Sequence, residues 1–503
     1  MTPEPTDQET IDRAVRRHAA ETPDKIAFVD PRTTLTWAEL DAAADRCAGL
    51  LAAAGVRPGD RVGYLGPNAV AYPITLLGTW RRDATIVGLN FRLPPSDLAA
   101  ITDAIHLAHA VVDARFAQMG EALSVRTGLT IVMPGQVWPA MGIEPVEPHI
   151  PADDDEALVY FTSGSTGHPK AVPLTRAAVE ATIPYADVHH FTPHSVALVI
   201  PPSFHAAGAT WANYGLHIGF THVYSDDASP AGIVSAIADH AVTHTILVPT
   251  LIHAVLDELK RNPRELPSLS HIGYGASPIT QQLLGEAIDI LGCEFCQVYG
   301  LSESGGGVAF LRAEEHVGAN PTKLKSAGLP GVNVDVQVRG VDGEVLGSNK
   351  SGELWFRAPS LTKGYLNNPE ATAKVLVDGW LNTRDTGYID DDGYIFVQGR
   401  SDDMIKSGAE KVHPQAVEEV LITMPGIVEC AVYGVPDERW GQCVTAAVVT
   451  DEDITPADVI AYCKGKLADY EVPKSVVMFP ELPRTATGKV QRAELVKLTV
   501  SAH

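Results

Sequence analysis

Positive charge is scarce in this chain. Its 503 residues hold 38 Lys and Arg against 62 Asp and Glu, a formal net charge of −24 at neutral pH. Nucleic acid and anionic membrane surfaces both demand a basic face, so neither is expected as a partner with a large footprint. A small anionic ligand is not excluded, because a few local donors override a diffuse repulsion that salt screens. Long apolar runs are missing too. None reaches the roughly 18 uncharged residues of a membrane-spanning helix, so no membrane insertion is expected. The opening stretch from Met1 to Thr10 is acidic and has no apolar core, which predicts no secretory signal and a cytoplasmic protein. Cysteine is sparse, with six residues scattered at 47, 293, 296, 430, 443 and 463. Cys293 and Cys296 make a C-x-x-C, but no second pair or matching histidines follow in sequence. Residues 291–299 therefore read as a strand entering a loop, with core thiols and neither a redox pair nor a zinc site. Internal repeats and low-complexity tracts are absent.

What is present is the balance of a folded protein, 45% hydrophobic and 20% charged. The length suggests about three compact units. Helical and strand signals alternate through the first part. Helical spacing over 11–20, a strand at Ile26–Val29, a helix from Leu35 to about Ala54, a strand from Arg61 and a helix over 70–80 imply a mostly parallel sheet flanked by helices. The rhythm resumes with strands at 243–249, 271–275 and 294–299. From about Ser326 it changes to short alternating strands (332–338, 352–357, 394–397) between Asp-Gly turns, the pattern of an antiparallel, barrel-like subdomain. After residue 403 come a helix near 414–423, strands at 430–434 and 444–449, a helix over 456–468 and a strand at 476–479.

The strongest chemical signal is Tyr160-Phe-Thr-Ser-Gly-Ser-Thr-Gly-His-Pro-Lys170. Its glycines let the backbone turn tightly around a bulky anion, the hydroxyls of Thr162, Ser163, Ser165 and Thr166 are donors, and Lys170 adds a cation. That suits a triphosphate, although the Walker A spacing is absent. Read alone, the segment could also be a Ser/Gly surface linker.

Other motifs follow in order: Tyr299-Gly-Leu-Ser-Glu303, Gly352-Glu-Leu, Gly364-Tyr365, Asp385 with Gly387, Gly399-Arg400 and Pro483-Arg-Thr-Ala-Thr-Gly-Lys489. With the Ser/Thr/Gly loop they closely resemble the adenylate-forming superfamily of acyl-CoA synthetases, carrier-loading adenylation domains and luciferases, over residues 10–495. The resemblance implies an α/β protein. Residues 1–399 would form a large N-terminal domain of two α/β sheets plus a β-barrel-like subdomain, 400–403 a hinge, and 404–503 a small mobile α+β domain. It implies an ATP-dependent acid–CoA ligase that forms an acyl-adenylate and then an acyl-CoA. ATP, Mg²⁺ and coenzyme A would be required, with a carrier protein as the alternative acceptor.

The residues carry over one by one. Thr162, Ser163, Gly164, Ser165, Thr166, Gly167 and Lys170 would cradle the phosphates. Gly275, Ala276 and Ser277 would leave a slot for adenine, with Tyr299 stacking on it and Gly300 and Ser302 beside it. Ser302 stands where the family usually has Thr. Glu303, a carboxylate beside a phosphate loop, suits a Mg²⁺ ligand. Asp385 and Arg400 match contacts to ribose and phosphate, although Asp385 alone could cap a turn. Lys489 would offset the charge that develops as pyrophosphate leaves; without its context it would read as solvated surface. Asp402 occupies the pivot position. Lys406, Ser407, Gly408 and Ala409 would line the pantetheine tunnel, where Ala409 replaces a usual glycine, and Arg92, Trp440 and Lys474 match further CoA contacts. Trp440 could equally pack under a loop. His205 would gate the acid's carboxylate end, or be a buried histidine satisfied by backbone. The small residues Ala206, Ala207, Gly208, Gly305, Gly306 and Gly307 leave volume with no cation among them, which favours a bulky, apolar monocarboxylic acid. A luciferase-like oxygenase would need an aromatic pocket, and a non-catalytic binding module would be expected to have lost Glu303, Lys489 or the phosphate loop.

Overall fold

The computed structural model describes residues 9–132, 154–162, 169–277, 279–318, 321–408, 410–437, 439–451, 453–484 and 490–501. The chain divides into two compact units, Met1–Asp335 with Arg357–Leu381, and Val336–Phe356 with Asn382–His503. Strands Asp335–Arg339, Gly352–Arg357 and Trp380–Ile389 each carry the chain across that division.

The first unit holds two α/β sheets. One has nine strands in the order 329–330, 306–311, 294–301, 271–275, 244–247, 196–199, 221–223, 26–29, 34–36. Its six central strands are parallel, and its edges are antiparallel. The other has six strands in the order 130–132, 109–112, 61–65, 85–89, 156–162, 170–175, parallel except for the final hairpin. Parallel strands need crossover helices, and these bury one apolar stripe each. Helix Pro249–Arg261 shows how the sequence encodes this. Proline opens it, Ile252, Val255, Leu256 and Leu259 are buried, and Lys260 and Arg261 sit in its last turn. Its apolar face belongs to a core with Leu198, Ile272, Tyr274 and Phe295.

In the second unit, strand Trp380–Ile389 pairs antiparallel with Ile395–Arg400. A five-stranded sheet in the order 410–412, 405–407, 441–450, 427–437, with 475–478 parallel to 441–450, forms the C-terminal part. Helices Pro414–Leu421 and Pro456–Cys463 supply Val417, Leu421, Val459 and Cys463 to its core.

Three local expectations are corrected. The helix expected over 456–468 stops at Cys463, because Lys464 is extended and Gly465 takes a left-handed φ of +78°. The strand expected from Val332 begins at Asp335, after a turn in which Asn333 has φ +60°. Residues 291–299 run from a helix end into a strand, not from a strand into a loop. Gly292, at φ +60°, ends helix Gln281–Leu291, and the strand spans Glu294–Leu301. Cys296 is buried there and Cys293 only half-buried, both as free thiols.

Candidate active site

The phosphate-loop motif closes a hairpin. Strand Glu156–Thr162 pairs with Lys170–Thr175 so that Thr162 lies opposite Lys170. The loop residues Ser163, Gly164, Ser165, Thr166 and Gly167 lie outside the described residues. The hairpin is anchored at its far end by Arg61, whose guanidinium meets Glu156 at 2.6 Å, and by the Trp80 indole donating to the Ala157 carbonyl at 2.9 Å.

Glu303 sits on a single 3₁₀ turn, Ser302–Ser304, between antiparallel strands. Buried Ser304 fixes the turn: its hydroxyl lies 2.9 and 2.7 Å from the carbonyls of Leu301 and Gly306, and it accepts from the Leu301 N–H at 2.9 Å. Gly305 follows at φ +74°. The Tyr365 hydroxyl donates to Glu303 Oε1 at 2.8 Å. The ammonium of Lys170 lies 4.9 Å from the centre of the same tyrosine ring, within the range of a cation–π contact. Thr362 ties three segments of this junction together, its own, the 3₁₀ turn of Glu303 and the strand of Pro173. Its N–H donates to the Glu303 carbonyl at 2.8 Å, and its hydroxyl donates to the Pro173 carbonyl at 2.6 Å. Gly364, at φ +144°, allows the approach, since a Cβ there would stand 2.6 Å from Thr372. Tyr365 was legible only as part of a motif; its contacts with Lys170 and Glu303 had no signal in the sequence.

The residues expected to form an adenine slot lie at neighbouring strand ends. Gly275 ends strand His271–Gly275 beside Val298, and a Cβ there would lie 2.2 Å from the Val298 carbonyl oxygen. A Cβ on Gly300 would lie 1.9 Å from the Gly306 carbonyl oxygen. Both positions therefore require glycine for close backbone approach. Ala276 takes φ +66°, a left-handed conformation costly for a residue with a Cβ, and Ala276 and Ser277 are exposed. Tyr299 is half-buried, next to a register shift at Gly300.

His205 is the N-cap of helix Ala206–Ile218, and its ring packs 4.5 Å from that of Phe204. Buried Asn68, missed in the sequence, holds the preceding loop. Its amide donates to the carbonyls of Val199 and Pro201, both at 2.9 Å, and accepts from the Ser203 N–H at 2.8 Å. Thr210 on the helix donates to the Gly305 carbonyl at 3.1 Å, which brings the helix start against the 305–307 segment. The small residues divide into two kinds. A Cβ on Gly208 would meet the Pro201 oxygen at 2.3 Å, and one on Gly307 would meet Val298 at 2.5 Å. Gly306 has φ +137° and faces Thr210. Protein atoms thus account for these three glycines, while Ala206 and Ala207 are half-buried.

In the second unit Asp385 and Arg400 are cross-strand partners joined by an ion pair at 2.9 Å. Arg400 also donates to the Thr383 carbonyl at 3.0 Å, and Asp385 is buried. Arg384 between them has φ +62°, accepts at its carbonyl from the Ser401 N–H at 2.8 Å, and approaches Asp402 at 3.4 Å. The Asp402 side chain is otherwise exposed.

The hairpin carrying Lys406, Ser407 and Gly408 packs on Trp440. Gly408 donates its N–H to the Trp440 carbonyl at 2.6 Å, and a Cβ on it would touch the indole at 3.5 Å. The Arg439 guanidinium lies 4.8 Å from the indole centre. Lys474 precedes strand Ser475–Met478 and donates its ammonium to the Asp469 carbonyl at 2.5 Å. Arg92, in the first unit, is exposed beside Phe91. Ala409 and Lys489 lie outside the described residues.

Comparison with known proteins gives two family matches, the AMP-binding enzyme over residues 15–366 and the AMP-binding enzyme C-terminal domain over 416–489. A feruloyl-CoA synthase of an Amycolatopsis species is 37% identical over 487 residues, covering 95% of this chain and 97% of the relative. The fatty acid–[acyl-carrier-protein] ligase ScoC of Streptomyces coeruleorubidus is 32% identical over 97% of this chain and 96% of its own. Among solved structures, the o-succinylbenzoate coenzyme A synthetase MenE of Bacillus subtilis, in complex with ATP and magnesium ion, superposes with a TM-score of 0.86 at 28% identity. That match covers 96% of this chain and 98% of the other.

Proposed function

The chain belongs to the adenylate-forming superfamily of AMP-binding enzymes, as an acid–thiol ligase of the acyl-CoA synthetase type, and on that premise we propose that it joins a bulky, largely apolar carboxylic acid to coenzyme A through an acyl-adenylate. In the first half-reaction a carboxylate oxygen of the acid bonds to the α-phosphorus of ATP as the bond to pyrophosphate breaks. In the second, the thiol sulfur of coenzyme A bonds to the acyl carbon, its proton is lost, and AMP leaves.

The observation that carries this reading is the Lys170–Tyr365–Glu303 junction, which puts a cation and a carboxylate at the mouth of the phosphate hairpin. Glu303 fits a Mg²⁺ ion. Tyr365 occupies Oε1, and Oε2 has no partner among the described residues, so a hard oxygen donor remains for a hard cation. When bound, that ion would neutralise phosphate charge. Lys170 and the loop donors would hold the phosphates in line, and catalysis would rest on positioning and electrostatics. Lys489 would stabilise departing pyrophosphate. Asp385 and Arg400, already paired, would present a carboxylate and a guanidinium to ribose and phosphate.

The ion pair Arg384–Asp402 and the short polar segment 400–403 support a pivot there, with 1–399 and 404–503 as the moving parts. In the thioester step Lys406, Ser407 and Gly408, the last of them against Trp440, would guide pantetheine together with Ala409, with Arg92 and Lys474 as further contacts. The lack of Lys or Arg within the stretches 201–208 and 305–307 supports an uncharged acyl tail, and the similarity to a feruloyl-CoA synthase supports an aryl acid. Loading of a carrier protein is the second reading, favoured by the similarity to ScoC. A pyrophosphate-release screen across an acid library, with CoA and with a carrier protein as acceptors, tests both. Acid-dependent release followed by CoA thioester formation is expected. Release with no thioester on CoA, but with acyl transfer to the carrier, would establish the second reading instead.

A further inference from the structure

Two histidines adjacent in sequence approach a third from opposite sides. The 3₁₀ helix Ile183–His189 ends at His190, whose left-handed φ of +55° turns the chain there. His189 then places Nδ1 3.0 Å from Nε2 of His271. His190 stands near the other edge of that ring, with its Nδ1 2.9 Å from Oε2 of Glu294. His271 and Glu294 are the first residues of neighbouring parallel strands and lie in register. The same Glu294 oxygen is 3.6 Å from Nδ1 of His271.

The His271 side chain is 1% exposed, and its Nδ1 has no hydrogen-bond partner among the described residues. A buried, unpaired ring nitrogen is costly. Here it points at the exposed pair His190 and Glu294, and one ligand atom from each of the three residues lies within 4.8 Å of the others. We infer that His190, His271 and Glu294 form a binding site for one divalent transition-metal ion of the zinc class.

Zinc binds imidazole nitrogen and carboxylate oxygen at about 2.0–2.2 Å and tolerates open positions filled by water. Ligand atoms spaced like these close around such an ion with small side-chain rotations of the two exposed residues. His189 supplies the outer support that metal-bound histidines usually have. With Nδ1 of His271 on the metal, its Nε2–H donates to Nδ1 of His189, which fixes ring and tautomer. The choice of ion follows from the donors, since two imidazoles prefer zinc, nickel or copper, whereas magnesium prefers all-oxygen shells. A deeper cluster of His189, His271 and Cys296 also lies within ligand distance. It is fully buried, and it would use the two nitrogens already bonded to each other. The outer site lies at the amino-terminal ends of strands whose carboxyl ends carry Gly275 and Tyr299. Along five strand residues this is roughly 15 Å from the candidate active site.

The test is titration of tag-free, chelator-treated full-length protein with zinc, and separately with cobalt(II), read by calorimetry and visible absorption. His190→Gln and Glu294→Gln, both at half-exposed side chains, keep the core intact. Thermal unfolding without zinc and pyrophosphate release with magnesium but no zinc, both unchanged, verify their fold. The expected result is saturable zinc binding that excess magnesium does not displace and that each substitution weakens about tenfold or more. Zinc should also raise the melting temperature of the parent but not of Glu294→Gln. Absence of saturable binding by the parent, or binding as tight in either variant as in the parent, overturns the assignment.

Discussion

The hydroxyl of Tyr365 donates a 2.8 Å hydrogen bond to Oε1 of Glu303, joining residues 62 positions apart in sequence. The same ring faces the ammonium of Lys170 at 4.9 Å. One side chain thus contacts both the cation and the carboxylate of the proposed phosphate site.

Tyr365→Phe keeps the ring for Lys170 and removes only the donor to Glu303. A hydrogen bond to a charged group contributes about 1.5–3 kcal/mol, so adenylation should fall roughly tenfold to a hundredfold. The dependence on magnesium should move to higher concentration, with thermal stability little changed. Unaltered pyrophosphate release and magnesium dependence would show that Glu303 holds its position without the tyrosine.

Lys489→Ala should abolish most adenylation, by on the order of 10²–10³ in rate, because in the proposed reaction it removes the stabiliser of departing pyrophosphate. Thioester formation from supplied acyl-adenylate should stay near normal. Measuring the two half-reactions separately decides it, and near-normal pyrophosphate release from the variant would falsify the assignment.

Asp402→Pro should separate the half-reactions in the opposite sense. Proline locks φ at the proposed pivot, whose dihedral would have to change, and removes the carboxylate 3.4 Å from Arg384. Adenylation is expected to survive while transfer to CoA falls. A parallel loss of both steps would move the pivot elsewhere.

The proposed acyl pocket is best probed at Ala207, not at the glycines. Gly306 has φ +137°, so a leucine there would strain the backbone whatever the pocket does. Ala207 is helical and half-buried. Ala207→Leu should disfavour large acids against small ones by about tenfold, the effect of 1–3 kcal/mol of overpacking. Competition between a bulky and a short acid reads this ratio, and an unchanged ranking would remove residue 207 from the pocket wall.

Stability should fall on the acid side through His222. This residue is fully buried, stacks on Phe28 at 4.2 Å, and donates to the Trp211 carbonyl at 3.2 Å. Burial pushes its pKa down to about 4 from 6.5. Below pH about 6.5 the unfolded chain takes up a proton that the folded chain refuses. The contribution is therefore intact above that pH and is lost as pH falls toward about 4, on the order of 3 kcal/mol in total. His222→Gln should lower the melting temperature near neutrality but flatten its decline toward about pH 5. An equally steep decline in the variant would assign the acid sensitivity to other groups.

The sequence by itself determined the elements and the chemistry that depends on local order. Hydrophobic periodicity located some of the helices and parallel strands to within a few residues, such as Ile26–Val29, Ala71–Trp80 and His271–Gly275, because helix faces and strand faces are written at fixed spacing. The ordered motifs around Thr162, Tyr299, Gly364 and Arg400 identified the family. Only the tertiary structure decided which residues meet. Asp385 faces Arg400 because two strands pair in one register, Asn68 holds the loop before His205 from 131 to 135 positions away, and Tyr365 reaches Glu303 across a junction of sheets. It also decided what smallness means. Gly208, Gly300 and Gly307 make way for protein atoms 2.5 Å or less from where a Cβ would sit, so a run of small residues read as an open pocket is in part close packing. Local spacing carries no record of such contacts, since they depend on distances between segments that the chain brings together only on folding.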